Sequence, residues 1–219
     1  MAALAPQLEK VYTDFAANVP APVKTTIDAA ISNAVSTFGE PSTGSAVIKP
    51  GAKFPDFTLP SATGAQVSLA SLLAKGPLLI TFYRGNWCPF CNLALRALQQ
   101  RLPEIRAAGV ELVAISPELP DSSLSTQEKN ELEFAVLSDA GNKLARELGI
   151  VWKQPSDLKP LFKQFGTDLE KQNGDDSFEV PVPATILVGK DGVVRNVYAE
   201  ADYRKRLEPE VAMGWIAKL

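Results

Sequence analysis

The sequence LITFYRGNWCPFC, residues 79–91, places two cysteines between a β-rich apolar run and a helical pattern. Pro89 suits the first position of a helix, which makes Cys88 the cap residue and Cys91 a residue of the first turn. The two side chains then share one helical face, within reach of a disulfide. We expect Cys88 to be exposed at the cap and the pair to close with little backbone movement.

The same position indicates how a thiol there is activated. Unpaired N–H groups and the helix dipole stabilise a thiolate at a helix start by about 0.3–2 kcal/mol, which brings the pKa of a free thiol from about 8.5 towards 7. Arg84 is the candidate for added positive charge, with Arg204 and Arg206 as weaker ones, and Trp87 is the candidate for shielding the sulfurs. The alternatives are a salt-bridged arginine at a strand end and simple packing of the indole.

Composition excludes several kinds of site in this chain of 219 residues. It contains no histidine and only two cysteines, so Ser-His-Asp triads, Cys-His dyads and histidine metal sites are absent. We expect no cofactor and no metal, although half of a zinc site and inert buried thiols are alternatives to a redox pair. A net charge of −3 argues against a nucleic-acid partner.

Cellular location follows from what the sequence lacks. No apolar run reaches the roughly 18 residues of a membrane span, so we expect no membrane partner. No secretory pattern precedes the Cys-x-x-Cys motif, so we expect a cytoplasmic redox protein.

Hydrophobic periodicity predicts two parts. Two amphipathic helices lie before residue 39, where they would cover the body or form a homodimer contact. A segment rich in Gly, Pro, Ser and Thr, residues 39–50, indicates a linker. We therefore divide the chain into a helical arm with its linker, residues 1–50, and a body, residues 51–219.

The body alternates between strand and helix patterns, and a strand–helix–strand unit over residues 78–116 predicts a parallel pair at the centre of a sheet. Pro103 should kink or restart the long helix of that unit, and Ser125 with Glu128 has the spacing of a capping box. Strands are predicted at 57–60, 78–83, 110–116, 134–137, 184–188 and 193–199, and helices at 89–108, from 139 to before 149, 158–165 and 208–218.

Trp-Cys-Pro-Phe-Cys between a strand and a helix resembles the active site of the thioredoxin fold. The segment GAKFPDFTLP, residues 51–60, resembles the opening strand of the AhpC/TSA peroxiredoxins and their redoxin relatives, as do the later segments LSD at 137–139, PATILV at 183–188 and GKDG at 189–192. The resemblance covers about residues 51–219. It implies an α/β thioredoxin-like fold with a central mixed sheet flanked by helices, here with an N-terminal helical extension.

The resemblance also implies a role for Pro183. A cis-proline precedes the strand that faces the active-site helix in this fold, and Pro183 matches it, so that the Val182 backbone would pair with an incoming sulfur substrate. An ordinary trans proline opening a strand is the alternative. Typical peroxiredoxins carry Pro-x-x-x-Thr-x-x-Cys, and this motif is not restored with either Cys88 or Cys91 at the peroxidatic position.

We therefore expect a thiol-disulfide oxidoreductase that cycles a Cys88–Cys91 dithiol and disulfide, with Cys88 attacking and Cys91 resolving. The alternatives are a peroxiredoxin-like thiol peroxidase with either cysteine as the peroxidatic residue, and a redox-inactive binding module. The expected partners are a thiol donor of the thioredoxin, glutaredoxin or glutathione type and a peroxide or disulfide substrate. Without histidine, we expect one cysteine ionisation between about pH 6 and 8 and no second group there.

Overall fold

The computed structural model describes residues 3–38 and 46–219. Its strands are β1 (Thr58–Pro60), β2 (Gln66–Ser68), β3 (Leu78–Phe82), β4 (Glu111–Ser116), β5 (Ala135–Ser138), β6 (Val151–Lys153), β7 (Glu179–Pro181), β8 (Ala184–Val188) and β9 (Val194–Ala199). Its helices are α1 (Leu4–Asn18), α2 (Ala21–Phe38), α3 (Leu69–Leu73), α4 (Pro89–Ala107), α5 (Pro120–Lys129), α6 (Lys143–Glu147), α7 (Leu158–Gln164), α8 (Leu169–Asn173) and α9 (Pro209–Ile216).

A mixed sheet of five strands, in the order β5-β4-β3-β8-β9, forms the centre of the fold. β3 runs parallel to β4 and antiparallel to β8, with Ile80 opposite Val113 on one side and Ile186 on the other. All five residues of β3 are buried, as expected for a near-continuous apolar run covered on both faces. The predicted parallel pair and the thioredoxin-like mixed sheet are confirmed.

Alternate residues of β3 divide the core between the two faces of the sheet. Leu79 packs into a cluster that contains both cysteines and the apolar stripe of α4. Ile80 packs into a cluster on the other face that contains buried residues of α2 and α7. The cysteines therefore lie on the α4 face.

The two predicted arm helices are confirmed, and they pack on opposite faces of the sheet. Leu4 and Leu8 of α1 are buried in the α4 cluster, and the Glu208 carboxylate accepts the N–H groups of Leu4 and Ala5 at 2.9 and 2.7 Å. α2 packs with the cluster on the other face. Most of the linker predicted at 39–50 lies outside the described residues.

Two local expectations need correction: α4 does not restart at Pro103, and Ser125 does not cap α5. α4 continues through Pro103 without restarting, and both neighbouring apolar residues of its stripe are buried, so packing offsets the hydrogen bond that proline removes. Ser125 lies inside α5 rather than at its start, and its hydroxyl donates to the Asp121 carbonyl at 3.2 Å. Pro120 opens that helix instead.

No helix in the described ranges combines the length and apolar character needed to cross a membrane.

Candidate active site

The two cysteines lie at the start of α4, after the loop that follows β3. Cys88 is the N-cap residue, Pro89 is the first helical residue, and the Cys91 N–H donates to the Cys88 carbonyl at 3.0 Å. This placement confirms the helix-start geometry. Both residues are free thiols and both are 0% exposed, so the expected exposure of Cys88 is wrong. The aromatic side chains packed around the helix start enclose the pair.

Arg84 contacts the first sulfur directly. Its Nη2 donates to Cys88 Sγ at 3.4 Å, and the side chain is buried. The guanidinium carbon lies 3.7 Å from the centre of the Tyr203 ring and 4.7 Å from that of Trp87. Cation–π attraction to both rings therefore holds the positive charge against the sulfur. The role expected for Arg84 fits this geometry.

The environment separates the pKa values of the two thiols. Burial would raise the pKa of Cys88, but the hydrogen bond from Cys91 and the charges of Arg84 and Arg206 outweigh burial and hold that pKa well below its ordinary value. Burial, together with the neighbouring Cys88 thiolate, holds the pKa of Cys91 well above its ordinary value. Of the two thiols, Cys88 is therefore the one that this environment favours for ionisation.

Arg206 is the second cation of the site. It lies between β9 and α9, and its Nη2 is 3.4 Å from Cys91 Sγ although the residues are 115 positions apart in the chain. Its Nη1 donates to the carbonyls of Tyr203 and Lys205, which orient the guanidinium. The sequence favours Arg84 over Arg206, because no local pattern connects the segment after β9 with the cysteines.

A buried carboxyl group, Glu118, lies under the loop that leads to Cys88. Both of its oxygens accept the Asn86 N–H at 3.0 Å, and the Thr126 hydroxyl donates to Oε2 at 3.4 Å. Glu118 is 0% exposed, and burial raises its pKa to about 7. This carboxyl, which the fold brings near Cys88 from beyond the end of β4, argues against the expectation of no second ionisation near neutrality.

Glu118→Gln is expected to convert a two-step titration of the site into a single step. Ionised Glu118 repels the Cys88 thiolate, so above about pH 7 the wild-type thiol is harder to ionise than the thiol of the variant. Thiolate absorbance in the ultraviolet and the rate of alkylation, both measured across the neutral range, test this. Glu128→Gln, on the exposed side of α5, is the matched control. A wild-type curve with one ionisation would contradict the expectation.

Besides the guanidinium of Arg84, Trp87 contacts an aromatic side chain of α7. Its ring meets Phe162 of α7 edge-to-face at 4.9 Å, and its Nε1 is buried without a hydrogen-bond partner within the described residues. Gly85 makes room for the indole: its φ is +151°, and a Cβ there would be 2.2 Å from Trp87 Nε1 and 3.0 Å from a Glu118 oxygen. The contacts show packing of the indole, and shielding of the sulfurs by Trp87 stays a prediction.

Gly85→Ala is expected to destabilise the protein by about 1–3 kcal/mol. The added methyl clashes with the indole, and the φ at this position is one that L-residues rarely adopt. The displaced Trp87 should also speed alkylation of Cys88. Urea unfolding and the alkylation rate at neutral pH measure the two effects. Gly166→Ala is a control for the conformational cost alone, since its φ is +74° and nothing lies within 4 Å of its Cβ position.

Pro183 lies immediately before β8, but without the cis bond that the resemblance implied. The peptide bond before it is trans, the form favoured by about 0.5–1 kcal/mol for proline. The Val182 N–H donates to the Ile150 carbonyl at 2.8 Å, and the Val182 side chain packs in the cluster opposite the cysteines. The expected cis bond is wrong, and the Val182 N–H that was expected to pair with a substrate is already taken by the Ile150 carbonyl.

The arrangement of the two cysteines and Arg84 supports two-electron sulfur chemistry. A thiolate with a fixed cation and a protonated thiol one helical turn away can attack a sulfur or an oxygen and then resolve the product. In residues 3–38 and 46–219, no three side chains of Cys, Asp or Glu are grouped so that they could hold a metal ion.

Comparison with known proteins agrees with this chemistry. The model of the AhpC/TSA family matches residues 50–197. Peroxiredoxin Q of Sedum lineare, a chloroplast protein, is 33% identical over 153 residues, which is 70% of each chain. Peroxiredoxin Bcp of Escherichia coli K12 is 25% identical over 77% of this chain and 96% of its own.

Among solved structures, peroxidoxin BcpB of Mycobacterium tuberculosis aligns with a TM-score of 0.61 at 20% identity, over 78% of this chain and 98% of its own. That likeness establishes the shared fold. Because the family model spans more than half of the sequence, the chain belongs to the AhpC/TSA family, as its sequence motifs indicated.

Proposed function

We propose that this thiol-dependent oxidoreductase is a thiol peroxidase that uses Cys88 as the attacking thiolate and Cys91 as the resolving thiol. The observation that carries the proposal is the buried Arg84, whose guanidinium contacts Cys88 Sγ at 3.4 Å beside a second thiol in the same helical turn. The same pair serves disulfide exchange, which is the broader activity expected from the motif.

The proposed cycle balances in two steps. The Cys88 thiolate bonds to one peroxide oxygen, the O–O bond breaks, and the sulfur is oxidised by two electrons to a sulfenic acid while the other oxygen leaves and takes up a proton. The Cys91 thiol then attacks the sulfenic sulfur, which releases water and leaves a Cys88–Cys91 disulfide. An external dithiol returns the pair to its reduced form.

Arg84 stabilises the charged states on this path. It pairs with the thiolate before the attack, and its remaining N–H groups can donate to the departing oxygen as negative charge develops there. The Glu118 carboxyl, with a pKa near neutrality, adds a group that can hold a proton close to the sulfurs.

A second assignment places the attack at Cys91. One observation favours it: Arg206 contacts Cys91 Sγ at 3.4 Å. Setting Cys91 on the peroxidatic position puts Cys88 in place of the threonine, so the family motif is not restored. The high pKa of Cys91 opposes it, because the thiolate is the nucleophile.

Relatives of this chain are peroxiredoxins, and a thiol reductant with a peroxide substrate is the matching pair of partners. A thioredoxin, glutaredoxin or glutathione-like donor, a homodimer and a cytoplasmic location stay predictions. Reduction assays with each donor and sedimentation of the purified protein test the first two.

Stoichiometric oxidation tests the proposed function. One equivalent of hydrogen peroxide should consume both thiols together, form an intramolecular disulfide seen by mass spectrometry, and leave none of the peroxide. Dithiothreitol should then restore both thiols and allow a second round. Loss of the thiols with oxidised glutathione but not with peroxide would reduce the function to disulfide exchange.

A further inference from the structure

The chain between β9 and α9 supplies two groups to the active site. The ring of Tyr203, in residues 202–206, lies 3.7 Å from the guanidinium carbon of Arg84, and Arg206 donates to Cys91 Sγ at 3.4 Å. Tyr203 thus supports one cation of the site, and Arg206 is the other. Whatever fixes residues 202–206 therefore fixes the position of both charges beside the sulfurs.

Arg204 lies between these two groups in the segment 202–206. Its Nε and Nη2 donate to the two carboxylate oxygens of Asp202 at 2.8 and 2.9 Å, and its backbone N–H donates to the same carboxylate at 3.1 Å. The Asp202 side chain is only 8% exposed, and a bidentate pair of this kind has a fixed geometry. A contact with the Arg204 guanidinium therefore holds the whole segment.

The first arm helix, α1, contacts the chain after β9 at two points. At the start of the helix, the Glu208 carboxylate accepts the N–H groups of Leu4 and Ala5. Two turns later, the centre of the Tyr12 ring lies 4.5 Å from the guanidinium carbon of Arg204. A cation this close to the face of an aromatic ring is attracted to it.

The second arm helix fixes Tyr12 in turn. The Tyr12 hydroxyl donates to the Asp28 carboxylate, and the Lys24 ammonium, which pairs with the same carboxylate, lies 5.9 Å from the ring centre. Tyr12 and Arg204 both lie outside residues 50–197, the region that the family model matches. Their contact therefore joins the chain before that region to the chain after it.

We propose that Tyr12 is a positioning residue of the active site. Its ring fixes Arg204, and residues 202–206 then hold Tyr203 and Arg206 at the site. The inference rests on the proposed function, in which Cys88 is the attacking thiolate, and it adds a residue of the arm that touches neither sulfur. Without the ring, the segment loses its contact with the arm, and both cations are held less closely against the sulfurs.

Titration of the thiolate absorbance of the reduced full-length protein tests the inference. Arg84 and Arg206 both lower the pKa of Cys88, so Tyr12→Leu should move the Cys88 ionisation to higher pH. On the acid side of the wild-type ionisation, the variant should hold about threefold to tenfold less thiolate. An arm that only covers the site would give the opposite sign, because water admitted to a buried thiol lowers its pKa.

Two variants of α1 separate the ring contact from the general packing of the helix. Tyr12→Phe keeps the ring and should titrate like the wild type. Phe15→Leu removes another ring of α1, one that packs edge-to-face on Phe165 and not on residues 202–206, and it should also titrate like the wild type. The titratable neighbours of Cys88 are the same in all of these proteins, namely Cys91, Glu118 and Tyr203.

Arg204→Gln removes the same contact from the other side, and it keeps the test decisive if Tyr12→Leu does not fold. It should move the titration to higher pH by more than Lys205→Gln, which removes the neighbouring charge at an exposed position. Tyr12→Leu should add no further shift to Arg204→Gln, because the contact is already lost. The inference is overturned by a Tyr12→Leu titration that equals the wild type or moves to lower pH, by an equal shift in Phe15→Leu, or by additive shifts in the double variant.

Kinetics separates this inference from the proposed function. Peroxide reduction by Tyr12→Leu should fall about threefold to tenfold on the acid side of the wild-type ionisation and approach the wild-type rate as the pH rises. A shifted titration in a protein that reduces no peroxide would overturn the peroxidase function alone. Reduction of peroxide with an unshifted titration would overturn the role of Tyr12 alone.

Discussion

Cys88→Ser is expected to abolish peroxide turnover, with a fall of more than about 10³-fold, because the serine hydroxyl stays protonated beside Arg84 where the thiol ionises. Cys91→Ser should instead react once at nearly the wild-type rate and then stall as a sulfenic acid, since no second thiol can release water from it. Rapid-mixing measurements with one equivalent of hydrogen peroxide, followed by trapping of the sulfenic acid with dimedone, distinguish the two variants.

The pair of variants also decides which sulfur attacks. A Cys91→Ser protein that reacts with nothing, beside a Cys88→Ser protein with one fast turnover, would move the attack to Cys91 and make Arg206 its activating cation. The pKa of Cys88 lies below its ordinary value and that of Cys91 above, so we expect the first pattern. Both side chains are buried, and circular dichroism confirms that each variant folds before its kinetics is interpreted.

Arg84→Met is expected to lower the rate of peroxide reduction at neutral pH by about 10–100-fold. The guanidinium lowers the pKa of Cys88, so its removal raises that pKa and leaves less thiolate at a given pH. The difference in rate between the variant and the wild type should shrink as the pH rises through the raised pKa of Cys88, because the thiolate then forms without the cation. A pH series of single-turnover rates measures it.

Two controls separate charge from packing at Arg84. Arg84→Lys keeps the positive charge but loses the planar guanidinium that lies over Tyr203 and Trp87, so it should recover part of the rate. Arg106→Met removes an exposed arginine from the far end of α4 and should change nothing. A deficit in Arg84→Met that stays constant at every pH would mean that Arg84 acts by packing alone.

Local sequence was sufficient to predict the strand, the helix and the two cysteines that form the site. An apolar run followed by Cys-Pro-x-Cys and a helical stripe placed β3, α4 and the two thiols correctly, because helix starts and strand burial depend on residues only a few positions apart. Arg84 belongs to the same stretch, and its contact with Cys88 spans four positions. Short elements such as β6 and β7 were missed, since three residues carry too little periodicity to be recognised.

Long-range contacts decided the rest, in ways that no local pattern encodes. The Asn86–Glu118 hydrogen bonds span 32 positions and the Arg206–Cys91 contact spans 115, so both groups reach the sulfurs only after the sheet has assembled. Packing around the helix start buried Cys88, and the arm came into contact with the segment after β9. Residue types and helix caps are readable along the chain, whereas burial, and the electrostatics that burial strengthens, arise only where distant segments meet in a low-dielectric interior.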